Sequence, residues 1–256
     1  MGSKLVTLVR NLQQRKGRKR RGLAMAEGIR LVEEALAARV PFHGALVSPA
    51  LAKTPRGEAL LGDLAAHAVP LEELPDREFE RLAGTDTPQG VLAVVDPPVW
   101  TLEQLAPAAG APVLILDAVQ DPGNVGTLLR TAFALGAAGA VLLKGTADPH
   151  NAKVVRAAMG ATFRLPTASA DDGQLAAWVR ERSAAVWATA GQGTPLAQLQ
   201  VPERLALVVG NEGAGIRDAV RQLAAARVTI PLARGAESLN VAVAAGIVLY
   251  EVTRGA

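Results

Sequence analysis

The sequence predicts an α/β protein: a C-terminal domain with a mostly parallel sheet, preceded by a smaller α/β domain. Three observations carry this expectation. Strand-like and helix-like segments alternate over residues 113–256, as in a parallel sheet covered on both faces. Short apolar runs alternate with helical stretches in residues 1–96 as well, which argues for a second, smaller α/β unit. Between the two, residues 97–112 hold Pro97, Pro98, Pro107 and Pro112 and read as a linker.

Taken in order, residues 22–38 read as a helix, with Ile29, Val32 and Leu36 on one face. The apolar runs 45–47, 68–71 and 91–95 are the strand candidates of the first domain. In the second domain they are 113–116, 140–143, 185–189, 205–209 and 227–230. Helical patterns lie near 127–136, 151–160, 173–183 and 216–225, and a long apolar helix runs from about Asn240 to Val252. Because that last helix is apolar all round, it is expected to be buried.

Composition excludes several chemistries. Cysteine is absent, which removes disulfides, thiolate metal sites and cysteine nucleophiles. His43, His67 and His150 are scattered and none has metal-ligand spacing, so no metal is expected. No G-x-S-x-G elbow is present. The longest apolar run, residues 132–143, falls short of the ~18 residues of a membrane span. The N-terminus is polar and basic, without an apolar stretch and cleavage signal, so a cytoplasmic location is expected.

Charge is unevenly placed. The net charge is +3, yet residues 1–30 carry nine Lys/Arg and one acid. Arg15, Lys16, Arg18, Lys19, Arg20 and Arg21 form the cluster. It reads either as a solvated, partly mobile arm or as a contact for a phosphate backbone. Aromatics make up only 3% of the chain, so no stacking platform for single strands is visible.

Three Gly/Asn-rich loops follow strand candidates. In the first, DPGNVG leads into a helix that Asn124 could cap; Arg130 points away from the core face of that helix, either solvated or aimed at a phosphate. In the second, a buried strand runs into GNEGAGI, where three glycines permit close backbone approach and Glu212 stands between two of them. In the third, Ser238 or Asn240 caps the final helix or serves a site. Ligands of open α/β sheets bind outside the carboxyl ends of strands, where all three loops lie. The glycine spacing at 123–126 is not the dinucleotide fingerprint, which argues against a nicotinamide-dependent dehydrogenase.

The segments NVGTLLRTAFALGA, VVGNEGAGI and IPLARGAESLNVAVAAGIVLYE resemble motifs 1, 2 and 3 of the SpoU (TrmH-type) RNA ribose 2′-O-methyltransferases, within the SPOUT superfamily. AEGIRLVEEAL and TDTPQGVLAVV resemble parts of that family's L30e-like substrate-binding domain. The resemblance implies an L30e-like RNA-binding domain over 1–96 and a knotted methyltransferase domain over 113–256. It implies S-adenosylmethionine as cofactor, held at Gly210, Ile230 and Leu239. It places Asn124, Arg130, Glu212, Ser238 and Asn240 at the family's functional positions. It also implies a homodimer, with the final helix at the interface, and RNA as the partner, ribosomal RNA before transfer RNA. Arg15, Lys16, Arg18, Lys19, Arg20 and Arg21 are then expected to contact that RNA. A non-catalytic RNA-binding protein of the same fold is the rival reading. Ala242 departs from the pattern, standing where a serine is common.

Overall fold

The computed structural model describes residues 3–254. Two units divide the chain: residues up to Pro98 together with Asp148–Arg164, and Val99–Ala147 together with the chain from Leu165 onward.

The first unit opens with α1 (Lys4–Gln13), whose N-terminus is capped by Ser3. The basic segment is not an extended arm but a second helix, α2 (Arg15–Arg21). Then come β1 (Ala24–Glu27), α3 (Ile29–Ala37), β2 (Phe42–Val47), α4 (Pro55–Ala66), β3 (Leu71–Glu73), α5 (Asp76–Glu80) and β4 (Val91–Val95). The strands form one sheet in the order β1-β4-β2-β3. Strand β4 is buried at every position because it feeds two cores. Val91, Ala93 and Val95 face the core shared with α3 and α4, while Leu92 and Val94 face that of α1. Strand pleating sends alternate residues to opposite faces, so a continuous apolar run marks a sheet covered on both sides.

The helix expected over 22–38 is a strand followed by a helix. Gly28, at φ 97, breaks the two apart. Ala24–Glu27 carries no β-branched residue, so nothing local signals a strand. Its pairing with β4 decides the conformation. The strand expected at 68–71 begins only at Leu71, because Ala68, at φ 53, still belongs to the close of α4.

The second unit continues with β5 (Val113–Asp117), α6 (Pro122–Ala134) and β6 (Gly139–Leu143). The chain then contributes α7 (Ala152–Ala158) to the first unit, where Val155 and Phe163 join the core of α3 and α4. Arg156 pairs with Glu27 at 3.1 Å and Arg164 with Glu34 at 2.6 Å. The sequence expectation had kept this segment within 113–256. After Arg164 come β7 (Thr167–Ala170), α8 (Asp172–Glu181), β8 (Ala185–Pro195), β9 (Leu205–Gly210), α9 (Asp218–Arg221), β10 (Ala226–Thr229) and α10 (Val241–Thr253). The sequence reading has no counterpart of β7, whose segment TASA has too few apolar residues to stand out.

All pairings in the six-stranded sheet are parallel, in the order β10-β8-β9-β5-β6-β7. Strands β5, β6 and β9 are buried throughout, as central strands between two helical layers must be. The chain runs outward from β5 to β7 and later fills the other side of β5 with β9. The reversal lies between β5 and β9, and their register sets Asp117 beside Gly210 at the carboxyl ends. The proline-rich stretch is not a free linker: Leu105 is fully buried in the second unit's core and its carbonyl accepts the Trp178 indole N–H at 3.0 Å.

Candidate active site

Each of the three loops is held by its own hydrogen bonds. After β5, Asp121 caps α6 by accepting from the Asn124 N–H at 2.8 Å. The expected cap, Asn124, therefore lies in the first turn, and its side-chain amide is left for other partners. After β9 the chain folds back on itself. Asn211 and Gly215 exchange backbone hydrogen bonds of 3.0 and 2.9 Å. The Asn211 Oδ1 accepts from Gly213 and Ala214 N–H groups, and its Nδ2 donates to the Ala118 carbonyl at 3.0 Å. A Cβ on Gly210 would lie 2.4 Å from the Gly215 carbonyl carbon, so this fold-back requires glycine. In the third loop Asn240, not Ser238, caps α10, accepting from the Ala242 and Val243 N–H groups.

A polar chain joins the three loops. Asn124 Nδ2 donates to Glu212 Oε1 at 2.7 Å, and Asn240 Nδ2 donates to Asn124 Oδ1 at 3.0 Å. The directions are forced. A carboxylate only accepts, so Asn124 turns its NH₂ to Glu212. Asn240 Oδ1 is engaged by the helix N–H groups, so its NH₂ faces Asn124. The geometry thus brings together Asn124, Glu212 and Asn240 from segments far apart in sequence.

Beside this chain lies a cavity of about 460 Å³. Gly210, Ile230 and Leu239 all line it, as do Glu212, Ser238 and Asn240. Ser238 is exposed, in a stretch (231–240) that is exposed throughout. Sequence reasoning missed the opposite wall, Thr189, Gly191 and Val228. It ended a strand at residue 189, whereas β8 runs on to Pro195 and pairs with β10 across a register shift between Arg227 and Val228. The glycines of 191–193 are what concealed that extension.

Arg130 lies exposed on α6 and has no ion-pair partner among the described residues. Of the basic cluster, Arg15, Lys16, Lys19, Arg20 and Arg21 are exposed. Arg18 is not available for a surface contact. It is only 5% exposed, and its guanidinium donates to Asp148 at 2.8 Å and to the Leu12 and Gln13 carbonyls. The final helix is also less buried than its composition suggests. Val243, Ile247 and Tyr250 form an exposed stripe at helical spacing, 51%, 40% and 57% accessible.

A six-stranded parallel sheet with a polar chain at its switch point and a cavity beside that chain defines an α/β protein with a candidate small-ligand site at its carboxyl edge. Residues 111–250 match the SpoU rRNA Methylase family, and residues 4–93 match the MRM3-like substrate binding domain. The chain belongs to the SpoU rRNA methylase family. It is 37% identical over 250 residues to the 23S rRNA (guanosine(2553)-2′-O)-methyltransferase RlmP of Bacillus subtilis, covering 95% of this chain and 93% of that one. Among solved structures, the AdoMet-bound rRNA methyltransferase from Sinorhizobium meliloti superposes with a TM-score of 0.87 and 32% identity, over 99% of this chain and 95% of that one. The SpoU methyltransferase AviRb from Streptomyces viridochromogenes, in complex with AdoMet, gives a TM-score of 0.87 with 28% identity, over 99% and 98% of the two chains.

Proposed function

We propose that the protein transfers a methyl group from S-adenosylmethionine to a ribose 2′-hydroxyl of ribosomal RNA, in the cytoplasm and as a homodimer. The observation that carries this reading is the Asn124–Glu212–Asn240 chain at the edge of the cavity lined by Gly210, Ile230 and Leu239. The cavity volume, about 460 Å³, suits a ligand of this size. Ile216, Ile230 and Leu239 would give the cofactor apolar walls, and the glycine-rich backbone would offer it peptide groups. When bound, the cofactor supplies an electrophilic methyl group on a sulfonium.

The chain's own residues then position the nucleophile. Arg130, exposed and without an ion-pair partner among the described residues, suits bidentate binding of an RNA phosphate. A guanidinium stays protonated in proteins and is no general base. The 2′-hydroxyl proton therefore leaves to an acceptor other than Arg130, while Arg130 holds the nucleotide in line. Asn124, Glu212, Ser238 and Asn240 orient the ribose and the cofactor. The exposed cations of α2 supply backbone affinity for RNA without sequence readout. The stripe Val243, Ile247 and Tyr250 supplies the dimer surface. Ribosomal RNA is favoured by the match of residues 4–93 to a substrate-binding domain and by the named activity of the Bacillus subtilis relative.

Purified protein incubated with methyl-labelled S-adenosylmethionine and unmodified total RNA tests the reading. Label in a 2′-O-methylnucleoside from the ribosomal size class is expected. Label in transfer RNA would redirect the substrate, and RNA binding without label would favour the non-catalytic alternative.

A further inference from the structure

The GNEGAGI loop, Gly210–Ile216, forms one wall of the cavity, and besides its own internal bonds it is fixed from outside the cavity. Arg217, the next residue, is bonded to two carboxylates at once. Its backbone N–H donates to Asp117 Oδ2 at 2.7 Å and its Nε to Asp117 Oδ1 at 2.6 Å. Its two terminal nitrogens form a fork onto Asp172, at 3.0 and 2.8 Å. Asp117 is fully buried at the end of β5, and Asp172 opens α8. A buried carboxylate needs a partner, and Asp117 has both oxygens satisfied by the same residue. The near end of the loop is tied to the same strand end by Asn211 Nδ2 on the Ala118 carbonyl.

Resting on the reading of the cavity as a cofactor site, we infer that Arg217, Asp117 and Asp172 form a clamp that positions the GNEGAGI loop for S-adenosylmethionine. None of the three lines the cavity, so they are positioning residues. Arg217 suits the task because only a planar guanidinium reaches both carboxylates with aligned N–H groups; an ammonium offers a point charge. Losing the clamp loosens Gly210, Glu212 and Ile216 together, the residues through which the loop meets the ligand. The effect falls on cofactor binding before it falls on the chemical step.

Arg217→Lys keeps the charge and is the variant to measure first, with Asp172→Ala as the milder second, since it leaves the buried pair intact. Calorimetric titration with S-adenosylmethionine is expected to show Kd raised about tenfold for Arg217→Lys and about threefold for Asp172→Ala, with KM for the cofactor following Kd and kcat changing less than about twofold. Amide hydrogen exchange over 210–216, read on protein without ligand, is expected to quicken in both variants while β5 and β9 stay protected. If Arg217→Lys does not fold, the Asp172→Ala pair of readings decides. Unchanged Kd together with unchanged exchange would overturn the clamp. A wild-type protein that binds no S-adenosylmethionine would overturn the cofactor reading and the binding half of the inference, whereas the exchange of 210–216 would still tell whether the loop is clamped.

Discussion

Asn124 and Glu212, 88 residues apart in the chain, meet in a 2.7 Å hydrogen bond at the carboxyl edge of the sheet. The pair exists because β5 and β9 are neighbours in the sheet, so the loops that follow them converge. Asn124→Asp would set one carboxylate against another at this distance. Like charges that close cannot both remain ionised without strain, so one carboxyl takes a raised pKa. Methyl transfer is expected to fall at least about tenfold near pH 8 and to recover partly toward pH 6, relative to wild type. A rate ratio that does not vary with pH would dismiss this account.

Gly210→Ala addresses the fold-back of the same loop. The added Cβ would meet backbone atoms of Gly215 and Ile216 at 2.4–2.6 Å, and backbone cannot swing aside as a flexible side chain would. The variant is expected to lose about 1–3 kcal/mol of stability, as overpacked sites do, and to bind S-adenosylmethionine at least about tenfold more weakly. Urea denaturation and calorimetry check the two parts separately.

Arg130 is exposed, so its replacement should not affect the fold. Arg130→Lys is expected to leave the melting temperature unchanged and to lower turnover by about 100-fold, because a lysine cannot make the two parallel hydrogen bonds of a phosphate clamp. Near-normal turnover in this variant would rule the clamp out.

Neighbouring cations of one short helix should behave oppositely. Lys16→Ala and Arg20→Ala, at exposed positions, are expected to weaken RNA binding and each to reduce the salt slope by about one. Arg18→Ala removes the partner of Asp148 and two carbonyl contacts, and is expected to cost about 3 kcal/mol of stability. Filter binding across a salt series and chemical denaturation separate the roles. An Arg18→Ala protein as stable as wild type would contradict the structural assignment.

His150 gives the first unit a pH dependence. Burial pushes its pKa below the ordinary 6.5, with Asp148 opposing and Arg18 adding to the shift. The native state therefore keeps His150 neutral where the unfolded chain would already be protonated. Stability from this group is whole above pH 6.5 and is lost as the pH falls from there through the lowered native value. Melting temperatures of wild type and His150→Gln, measured across that window, should converge on acidification. Parallel curves would refute the contribution.

Much of the second unit is legible in the sequence, because β5, β6 and β9 are apolar runs buried on both faces and end in glycine-rich loops. Part of the candidate site is legible for the same reason: β5 and β9 are adjacent parallel strands whose following loops converge, whereas the third loop follows β10 at the edge of the sheet and reaches Asn124 by a path no local pattern shows. What could not be read depends on contacts made at long range. Met25 and its neighbours take strand form through β4, and Arg18 is withdrawn from the surface by Asp148, 130 residues away, together with the Leu12 and Gln13 carbonyls. The apolar composition of α10 could not reveal that Val243, Ile247 and Tyr250 stay accessible, since burial depends on which face packs against α6 and β9. Likewise Thr189 and Val228 reach the cavity through the long pairing of β8 with β10, which glycines hide from any local pattern.

The loan of Asp148–Arg164 to the first unit has a consequence during synthesis. Chains emerge N-terminus first, and domains generally form as their residues become available. The first unit's core includes Val155 and Phe163, so it cannot close when Pro98 leaves the ribosome. It must wait until β5, α6 and β6 of its neighbour have already been extruded. A gene split between the two units at residue 98 would leave its first part without Val155 and Phe163 of its core, while its second part would carry a segment whose packing partners lie on the other piece.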